Sequence, residues 1–391
     1  MSKLPRGMRR GLFSTRVTAL ALLALAGCVY WTSGPAAPRG TTRRAPIAAK
    51  ASGSLPEAAR TTVPSRVGDT IVVLKTEAGR SAVQELLVAP GEQVTSRPER
   101  LLPVIPGGYY SGPVAMSSTA CVVIGCRAGP SGQQEITAYQ YQLPKGNIAT
   151  LGTPVQARPG ELTLCLLSSS PLSGDVVVAM TSPEIVQDAP WTWTPGTDRW
   201  QRLGDAYPAL RKVVGKPSEI LTAAFSPDGS LLAVAVQYED EPGAFDIWTY
   251  HVRTRRLRKL ARVHHGIWVR LALSGSNSDL LWEDLQGFGM ITLASCRSRY
   301  WPGKELKGLP NDSATTQGAF ASDGKHVYFI VRFGMGSFEP SLGRYVSTWV
   351  ASFDPSSGSW QVIWKEEPGT EVAGMAVLPT ATVDASASPP P

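Results

Sequence analysis

The sequence predicts an all-β fold, a single β-propeller of six four-stranded blades, with seven blades as the alternative. The first observation behind this prediction is the pattern of residues 223–263, which returns at intervals of roughly fifty residues along the chain. In this stretch an apolar strand ends in a Ser226-Pro227-Asp228-Gly229 turn, a second apolar strand follows, and a polar hairpin joins two more strand-like segments. Eleven Trp and eleven Tyr suit sheets that pack face to face.

The first half of this unit can be followed through the chain. Residues 318–329 repeat it closely, and looser copies begin near Val114, Leu164 and Leu271. Each copy starts with an apolar strand, breaks at Ser or Gly and resumes with apolar residues. The second halves also align, each as two strands around a turn of Pro, Gly, Thr or Ser. Five complete blades follow from these copies.

The two ends of the repeat region predict the sixth blade. Residues 69–104 supply strand-like segments without a preceding inner strand, whereas residues 373–378 resemble an inner strand with no successor. Joined in one sheet, the N- and C-terminal strands close the ring and remove its exposed edges. The predicted organisation is a signal peptide (1–27), a disordered tether (28–66), the propeller (67–379) and a disordered tail (380–391).

The Ser226-Pro227-Asp228-Gly229 turn is followed by an apolar strand and then by Asp246-Ile247-Trp248. This pattern resembles the TolB-type, or WD-repeat-like, propeller family over about residues 67–379. This resemblance implies the fold, and it leaves function open, because such propellers serve as periplasmic binding proteins, interaction platforms and accessory domains of peptidases. Asp228 and Asp323 match the family's turn, where the side chain can cap the backbone. The predicted structural turn residues are Asp228, Gly229, Asp323 and Gly324.

The amino terminus predicts export. Residues 1–27 hold five basic and no acidic residues, an apolar run over 17–26 and small residues at its end. Leu25-Ala26-Gly27-Cys28 resembles the lipobox of bacterial lipoproteins, which implies a diacylglycerol on the Cys28 thiol and cleavage before it. The alternatives are an ordinary secreted protein and a signal anchor with an incidental Cys. Residues 9–13 also resemble a twin-arginine export signal.

The charge distribution argues against a nucleic-acid partner. Residues 1–27 and residues 28–66 each carry +5, so the +7 of the whole chain leaves −3 for residues 67–391. A mildly acidic folded region does not favour a phosphate-binding surface.

Catalytic motifs are missing from the sequence. It contains no HExxH, Gly-x-Ser-x-Gly, P-loop or paired CxxC, so we assign no catalytic residue, no metal and no cofactor. In an oxidising compartment the four remaining cysteines could pair, although Cys121 and Cys126 in one extended strand would point to opposite faces. Buried free thiols are the alternative. The other two are Cys165 and Cys296.

Long loops predict a ligand rim at one mouth of the channel. The acidic character of these loops suits a cationic ligand, a divalent ion or a basic partner surface. The candidate rim residues are Glu184, Asp188, Tyr238, Glu239, Asp240, Glu241, Glu339 and Arg344.

The functional hypothesis is a non-enzymatic binding or protein-interaction platform, anchored outside the cytoplasm to a bacterial membrane through acylated Cys28. Its expected partners are the bilayer and an envelope protein or small ligand at the propeller mouth. The alternative is a hydrolase or lyase acting on a glycan or peptide at that mouth. Two convergent carboxylates, or a His with a carboxylate, inside the channel would favour the enzyme.

The anchor can be tested directly. We expect Cys28→Ala to release the protein from membranes, because several acyl chains anchor a protein firmly and the variant cannot receive them. Fractionation of the cell envelope into membrane and soluble parts measures this. A Cys28→Ala protein that still sediments with membranes would contradict the lipid anchor.

Overall fold

A computed structural model describes the chain from Gly68 to Leu378 with fifteen short gaps. The predicted signal peptide, Cys28, the tether and the tail lie outside the described residues. The gaps fall at 78–79, 90–93, 129–133, 157–162, 182–187, 213–217, 239–240, 242, 265–268, 285, 304–305, 307, 310–312, 334–346 and 367–369.

The described strands form six antiparallel sheets, which are the six blades of a propeller. In blades 2 to 6 the four strands follow chain order from the inner strand to the outer one. Their bounds are β5 (Tyr109–Ser117), β6 (Ala120–Ala128), β7 (Gln134–Gln142) and β8 (Asn147–Gln156) in blade 2; β9 (Thr163–Ser169), β10 (Val176–Thr181), β11 (Asp188–Trp193) and β12 (Trp200–Arg202) in blade 3; β13 (Ser218–Phe225), β14 (Leu231–Tyr238), β15 (Phe245–His251) and β16 (Arg256–Val263) in blade 4; β17 (Arg270–Leu273), β18 (Asp279–Asp284), β19 (Gly287–Thr292) and β20 (Arg297–Pro302) in blade 5; and β21 (Ser313–Phe320), β22 (Val327–Phe333), β23 (Ser347–Asp354) and β24 (Ser359–Lys365) in blade 6.

Blade 1 joins the two ends of the described chain. Its strands are β1 (Asp69–Glu77), β2 (Arg80–Val88), β3 (Val94–Ser96), β4 (Arg100–Leu101) and β25 (Glu371–Leu378). The inner strand β25 pairs antiparallel with β1, while β3 and β4 both pair with β2 and together form an interrupted outer strand. The predicted six-bladed propeller with a shared terminal blade is therefore confirmed, and the seven-bladed alternative is wrong.

Six buried apolar clusters fill the six spaces between neighbouring blades. One cluster lies between each pair, including blades 6 and 1, where Ile71 and Val73 meet Tyr328 and Ile330. Alternate residues of a strand point to opposite faces, so each blade contributes one set of side chains to each neighbour. Both faces of every blade are buried only when the ring is closed.

Aromatic rings dominate the contact between blades 5 and 6. The Phe288 ring lies 4.7 Å from Phe329 and 5.1 Å from Phe353, measured between centroids, and Trp360 lies 4.7 Å from Phe353. Tilted and edge-on aromatic pairs add attraction beyond the burial of their area. Phenylalanines of the second and third strands, together with Trp360 of the outer strand β24, therefore hold these two sheets together.

The antiparallel order gives the propeller two distinct ends. One end holds the turns after each inner strand and after each third strand, such as residues 226–230 and 251–256 in blade 4. We call it the turn end. The opposite loop end holds the connections between second and third strands and between blades. Gly68 lies at the turn end, because the adjacent Asp69 accepts a hydrogen bond from the Ser322 N–H, 3.1 Å away, in the blade 6 turn.

Helix is nearly absent from the described chain. A four-residue helix α1 (Leu203–Ala206) and a 3-10 helix (Pro208–Lys212) follow the outer strand of blade 3. Neither of these described helices approaches the length that a bilayer crossing needs.

The seam between blades 1 and 2 leaves no room for a side chain at Gly374. A Cβ atom there would lie 1.7 Å from the Gly112 carbonyl oxygen, a backbone atom that cannot move without shifting β5. We expect Gly374→Ala to lower the free energy of unfolding by more than about 2 kcal/mol. Chemical denaturation measures this. Gly275→Ala is the matched control, since nothing lies within 4 Å of its Cβ position. Equal stability of the two variants would contradict the tight seam.

Candidate functional site

The inner strands of the six blades surround a central cavity of about 260 Å³. It extends from the middle of these strands to the turn end, where the residues after the inner strands line it. Among these are Ser118, Pro171, Pro227, Gly275 and Ser322. The cavity is therefore a channel whose described opening lies at the turn end rather than among the long loops.

The channel wall is made of strand edges that need hydrogen-bond partners. An inner strand pairs with its own blade on one side only, so its other N–H and C=O groups face the channel. Side chains from the neighbouring blade satisfy several of them. Ser168 accepts from the Phe225 N–H at 2.9 Å, and Gln317 both accepts from the Met375 N–H at 3.1 Å and donates to its carbonyl at 2.8 Å. These bonds join adjacent blades around the channel.

Glu283 makes the same kind of link and adds a charge. It lies near the end of β18, only 6% exposed, and its Oε2 accepts a hydrogen bond from the Gly318 N–H of β21 at 2.8 Å. Its other oxygen, Oε1, is buried without a hydrogen-bond partner among the described atoms. Because a buried polar atom is normally paired, this oxygen can accept a hydrogen bond from a ligand or water that reaches it.

Arg270 lies beside this carboxyl group. It occupies the register position opposite Glu283 in the β17–β18 pair, and both residues line the cavity. Its Nη1 donates to the Thr316 carbonyl oxygen at 3.0 Å, which holds the guanidinium between blades 5 and 6. Among the described lining residues, Arg270 and Glu283 are the charged ones.

Burial raises the pKa of Glu283 to about 7. Removal of water from the carboxylate is the main cause, and the charge of Asp284 adds to it, while Arg270 and the Gly318 N–H oppose it. Near neutral pH the group is thus divided between acid and carboxylate. It can accept a hydrogen bond, donate one, or exchange a proton with a bound molecule.

Most of the predicted ligand rim falls outside the described residues. This applies to Glu184, Glu239, Asp240, Glu339 and Arg344, and the side chain of Asp188, the first residue of β11, is also not described. The rim as a whole therefore stays a prediction.

Two of the predicted rim residues are described. Tyr238 ends β14 and is partly buried, and the exposed Glu241 forms an ion pair with Arg262. Both lie at the loop end, away from the turn-end opening of the cavity. The structure does not bring them to Glu283.

Asp228 and Asp323 make the bonds of turn-capping aspartates. Asp228 accepts from the Ser230 N–H at 3.0 Å and from Asn277 Nδ2 of the next blade at 2.9 Å. Asp323 accepts from the His326 N–H at 3.1 Å. Such bonds hold the pKa of each aspartate below its ordinary value, against the opposing effect of burial.

The glycines that follow these aspartates adopt the left-handed conformation. The φ angle is +69° at Gly229 and +66° at Gly324, a region that residues with a Cβ rarely occupy. The aspartate–glycine sequence of these turns is thus explained by backbone geometry.

The described cysteines are free thiols. Cys121 and Cys126 lie on the continuous strand β6, fully buried in the clusters on its two opposite faces, and Cys296 is partly buried. Burial raises the pKa of Cys126 to about 12, so it is an unreactive thiol. The side chain of Cys165 is not described. In the described part of the chain, no group of three His, Cys, Asp or Glu side chains is placed to hold a metal ion.

Sequence reasoning missed Glu283 and Arg270. The available signal was an acid inside a strand, residues 279–284, whose central residues are apolar, together with an arginine at the start of the preceding inner strand. Neither belongs to a motif, because the pair is assembled across the register of two strands.

The raised pKa of Glu283 has a consequence for stability. The folded protein binds this proton more tightly than the unfolded chain, whose Glu titrates near its ordinary value. Stability from this group is therefore lost as pH rises from about 4.5 to 7. We expect the free energy of unfolding of Glu283→Gln to fall less than that of the unsubstituted protein between these pH values.

Denaturation at acidic and mildly basic pH measures this difference. Glu77→Gln, at an exposed position at the end of β1, is the control and should keep the original pH dependence. A Glu283→Gln variant with that same pH dependence would contradict the buried, proton-binding carboxyl group.

No protein-family model matches the chain, and no curated protein matches it at a significant level. Among solved structures the chain is similar to one in a nidogen/laminin complex, with 14% identity, a TM-score of 0.49, and coverage of 79% of this chain and 99% of that one. It is also similar to oligogalacturonate lyase from Vibrio parahaemolyticus, with 12% identity, a TM-score of 0.42, and coverage of 63% of this chain and 70% of that one. A third similar structure is prolyl oligopeptidase B from Galerina marginata, with 11% identity, a TM-score of 0.37, and coverage of 76% of this chain and 44% of that one. At these identities the similarities carry no argument about activity.

Proposed function

We propose that this chain is a non-enzymatic binding protein, held outside the cytoplasm by acylated Cys28, that takes a small polar molecule into its propeller channel. The observation that carries the proposal is Glu283, which lines the central cavity and whose buried Oε1 has no hydrogen-bond partner among the described atoms. A buried carboxyl oxygen without a partner raises the free energy of the empty protein, so a ligand that donates to it gains that free energy on binding.

The cavity suggests the chemistry of the ligand. Glu283 favours a hydroxyl or ammonium donor, and the neighbouring Arg270 favours a carboxylate or another oxygen acceptor. Apolar lining such as Leu271 and Phe225 leaves room for a short carbon skeleton between them. Small amino acids, hydroxy acids and sugar acids combine these features. We therefore favour a small molecule over an envelope protein as the occupant of the channel.

A panel of such compounds, tested on the purified full chain by thermal shift and calorimetry, checks this proposal. We expect at least one to raise the melting temperature, and Glu283→Gln to weaken its affinity by roughly tenfold or more, the effect of losing a charge-assisted hydrogen bond. Glu77→Gln should bind normally. A panel without a binder, or a binder indifferent to Glu283→Gln, would contradict the channel site.

One observation favours the alternative, a hydrolase or lyase acting on a glycan or peptide. A carboxyl group with a pKa of about 7 is suited to general acid–base catalysis at neutral pH. The described lining supplies a single carboxyl group, whereas acid–base hydrolysis of glycans commonly uses two. Unchanged recovery of the bound compound after prolonged incubation supports binding, and its conversion to product would support the enzyme.

A further inference from the structure

Six exposed arginines cluster at the turn end of blades 4 and 5. They lie in the turns after the third strands and in the first residues of the outer strands β16 and β20. We call them the turn-end arginines. They are Arg253, Arg255, Arg256, Arg258, Arg297 and Arg299.

Direct bonds make these two turns one surface. Arg258 of blade 4 donates from Nη2 to the Ala294 carbonyl oxygen at 3.2 Å and to Cys296 Sγ at 3.1 Å, both in the blade 5 turn. Arg299 donates to the Pro355 carbonyl oxygen of blade 6 at 3.0 Å. These partners are uncharged, so they orient the guanidinium groups without neutralising them.

Three arginines at the loop end form ion pairs instead. Arg127 pairs with Glu135 at 2.7 Å, Arg332 pairs with Glu371 at 2.5 Å, and Arg262 pairs with a carboxylate of the blade 4 loop. Within the described residues, none of the six turn-end arginines forms an ion pair. The net charge of −3 for residues 67–391 conceals this asymmetry between the two ends.

Three aspartates near this surface reduce its positive charge without cancelling it. Asp279 bonds Thr292 Oγ1, whose register partner is Arg297, and Asp354 lies in the adjacent blade 6 turn. Asp228 is held by the turn of blade 4. Each is engaged by hydroxyl or amide groups, and the six arginines outnumber them.

The connection to the N-terminal segment is at the same end. Gly68 precedes Asp69, which is bonded to the blade 6 turn, and Cys28 lies forty residues earlier in the sequence. If Cys28 carries the anchor, as the proposed function holds, the anchored segment joins the propeller at the turn end. A tethered surface meets the bilayer at high effective concentration, so a weak electrostatic attraction suffices to hold it there.

We infer that the turn-end arginines are a docking surface for anionic phospholipid head groups. Guanidinium groups bind phosphate oxygens in bidentate fashion, and clustered basic residues are attracted to anionic membranes. Docking would place the turn end, and with it the described opening of the channel, toward the bilayer. This inference rests on the proposed function, because acylated Cys28 is what brings the protein to a membrane. The orientation of the propeller on that membrane is inferred from the arginine surface.

Vesicle co-sedimentation of the full chain tests the docking surface. The apolar residues 17–26 can bind any bilayer, so the readout is the ratio of binding to vesicles with about one-third phosphatidylglycerol over binding to neutral phosphatidylcholine vesicles. The surface variant and its control remove equal charge from the two ends of the propeller. They are Arg253→Gln/Arg256→Gln/Arg297→Gln and Arg127→Gln/Arg262→Gln/Arg332→Gln.

We expect the surface variant to lower this ratio by roughly tenfold and the control to change it by less than about twofold. The ratio should also fall with added salt in the unsubstituted protein. An equal loss in both variants would show a net-charge effect and overturn the docking surface, as would no loss in either. Tighter binding of soluble heparin than of anionic vesicles would also overturn it, by assigning the arginines to a polyanion.

Failure of the anchor reads out separately. Incorporation of a labelled fatty acid at Cys28 reports acylation and does not depend on the arginines. A chain that is acylated but shows no preference for anionic vesicles keeps the anchor and loses the docking surface. A chain that prefers anionic vesicles without acylation keeps the docking surface and loses the anchor.

Discussion

The pairing of β25 with β1 is the constraint on which the rest of the molecule depends. Each blade has two apolar faces, and a linear stack would leave one face exposed at each end. Joining the C-terminal strand to the N-terminal sheet places blade 1 between blades 6 and 2, so every face is buried. It also brings both ends of the described chain to one end of the propeller.

Closure of the ring creates the channel and its chemistry. Six inner strand edges face one another there, and side chains such as Gln317 and Ser168 satisfy their backbone groups from the neighbouring blade. Glu283 serves the same purpose, but a carboxyl group is far costlier to bury than a hydroxyl or amide. The raised pKa of Glu283 and its unpartnered oxygen both follow from that placement, which links the scaffold to the proposed binding site.

The fold could be predicted from the sequence because its signals are local. Turns such as Ser226–Gly229 and the apolar strands around them repeat, and even the shared blade follows from two incomplete units. The candidate site could not be predicted, because Glu283 meets Gly318 and Arg270 only through strand register and blade curvature. The turn-end arginines can be read from the sequence, but the net charge of the whole folded region does not show that they cluster at one end.

Native-state hydrogen exchange of the amides between β1 and β25 tests the closure most directly. If this pairing holds the ring together, these amides should exchange only through global unfolding, with the same protection as the central strand β14 of blade 4. Exchange orders of magnitude faster in β25 than in β14 would show that the terminal strand opens by itself. The ring would then be held by the other blade contacts, contrary to this account.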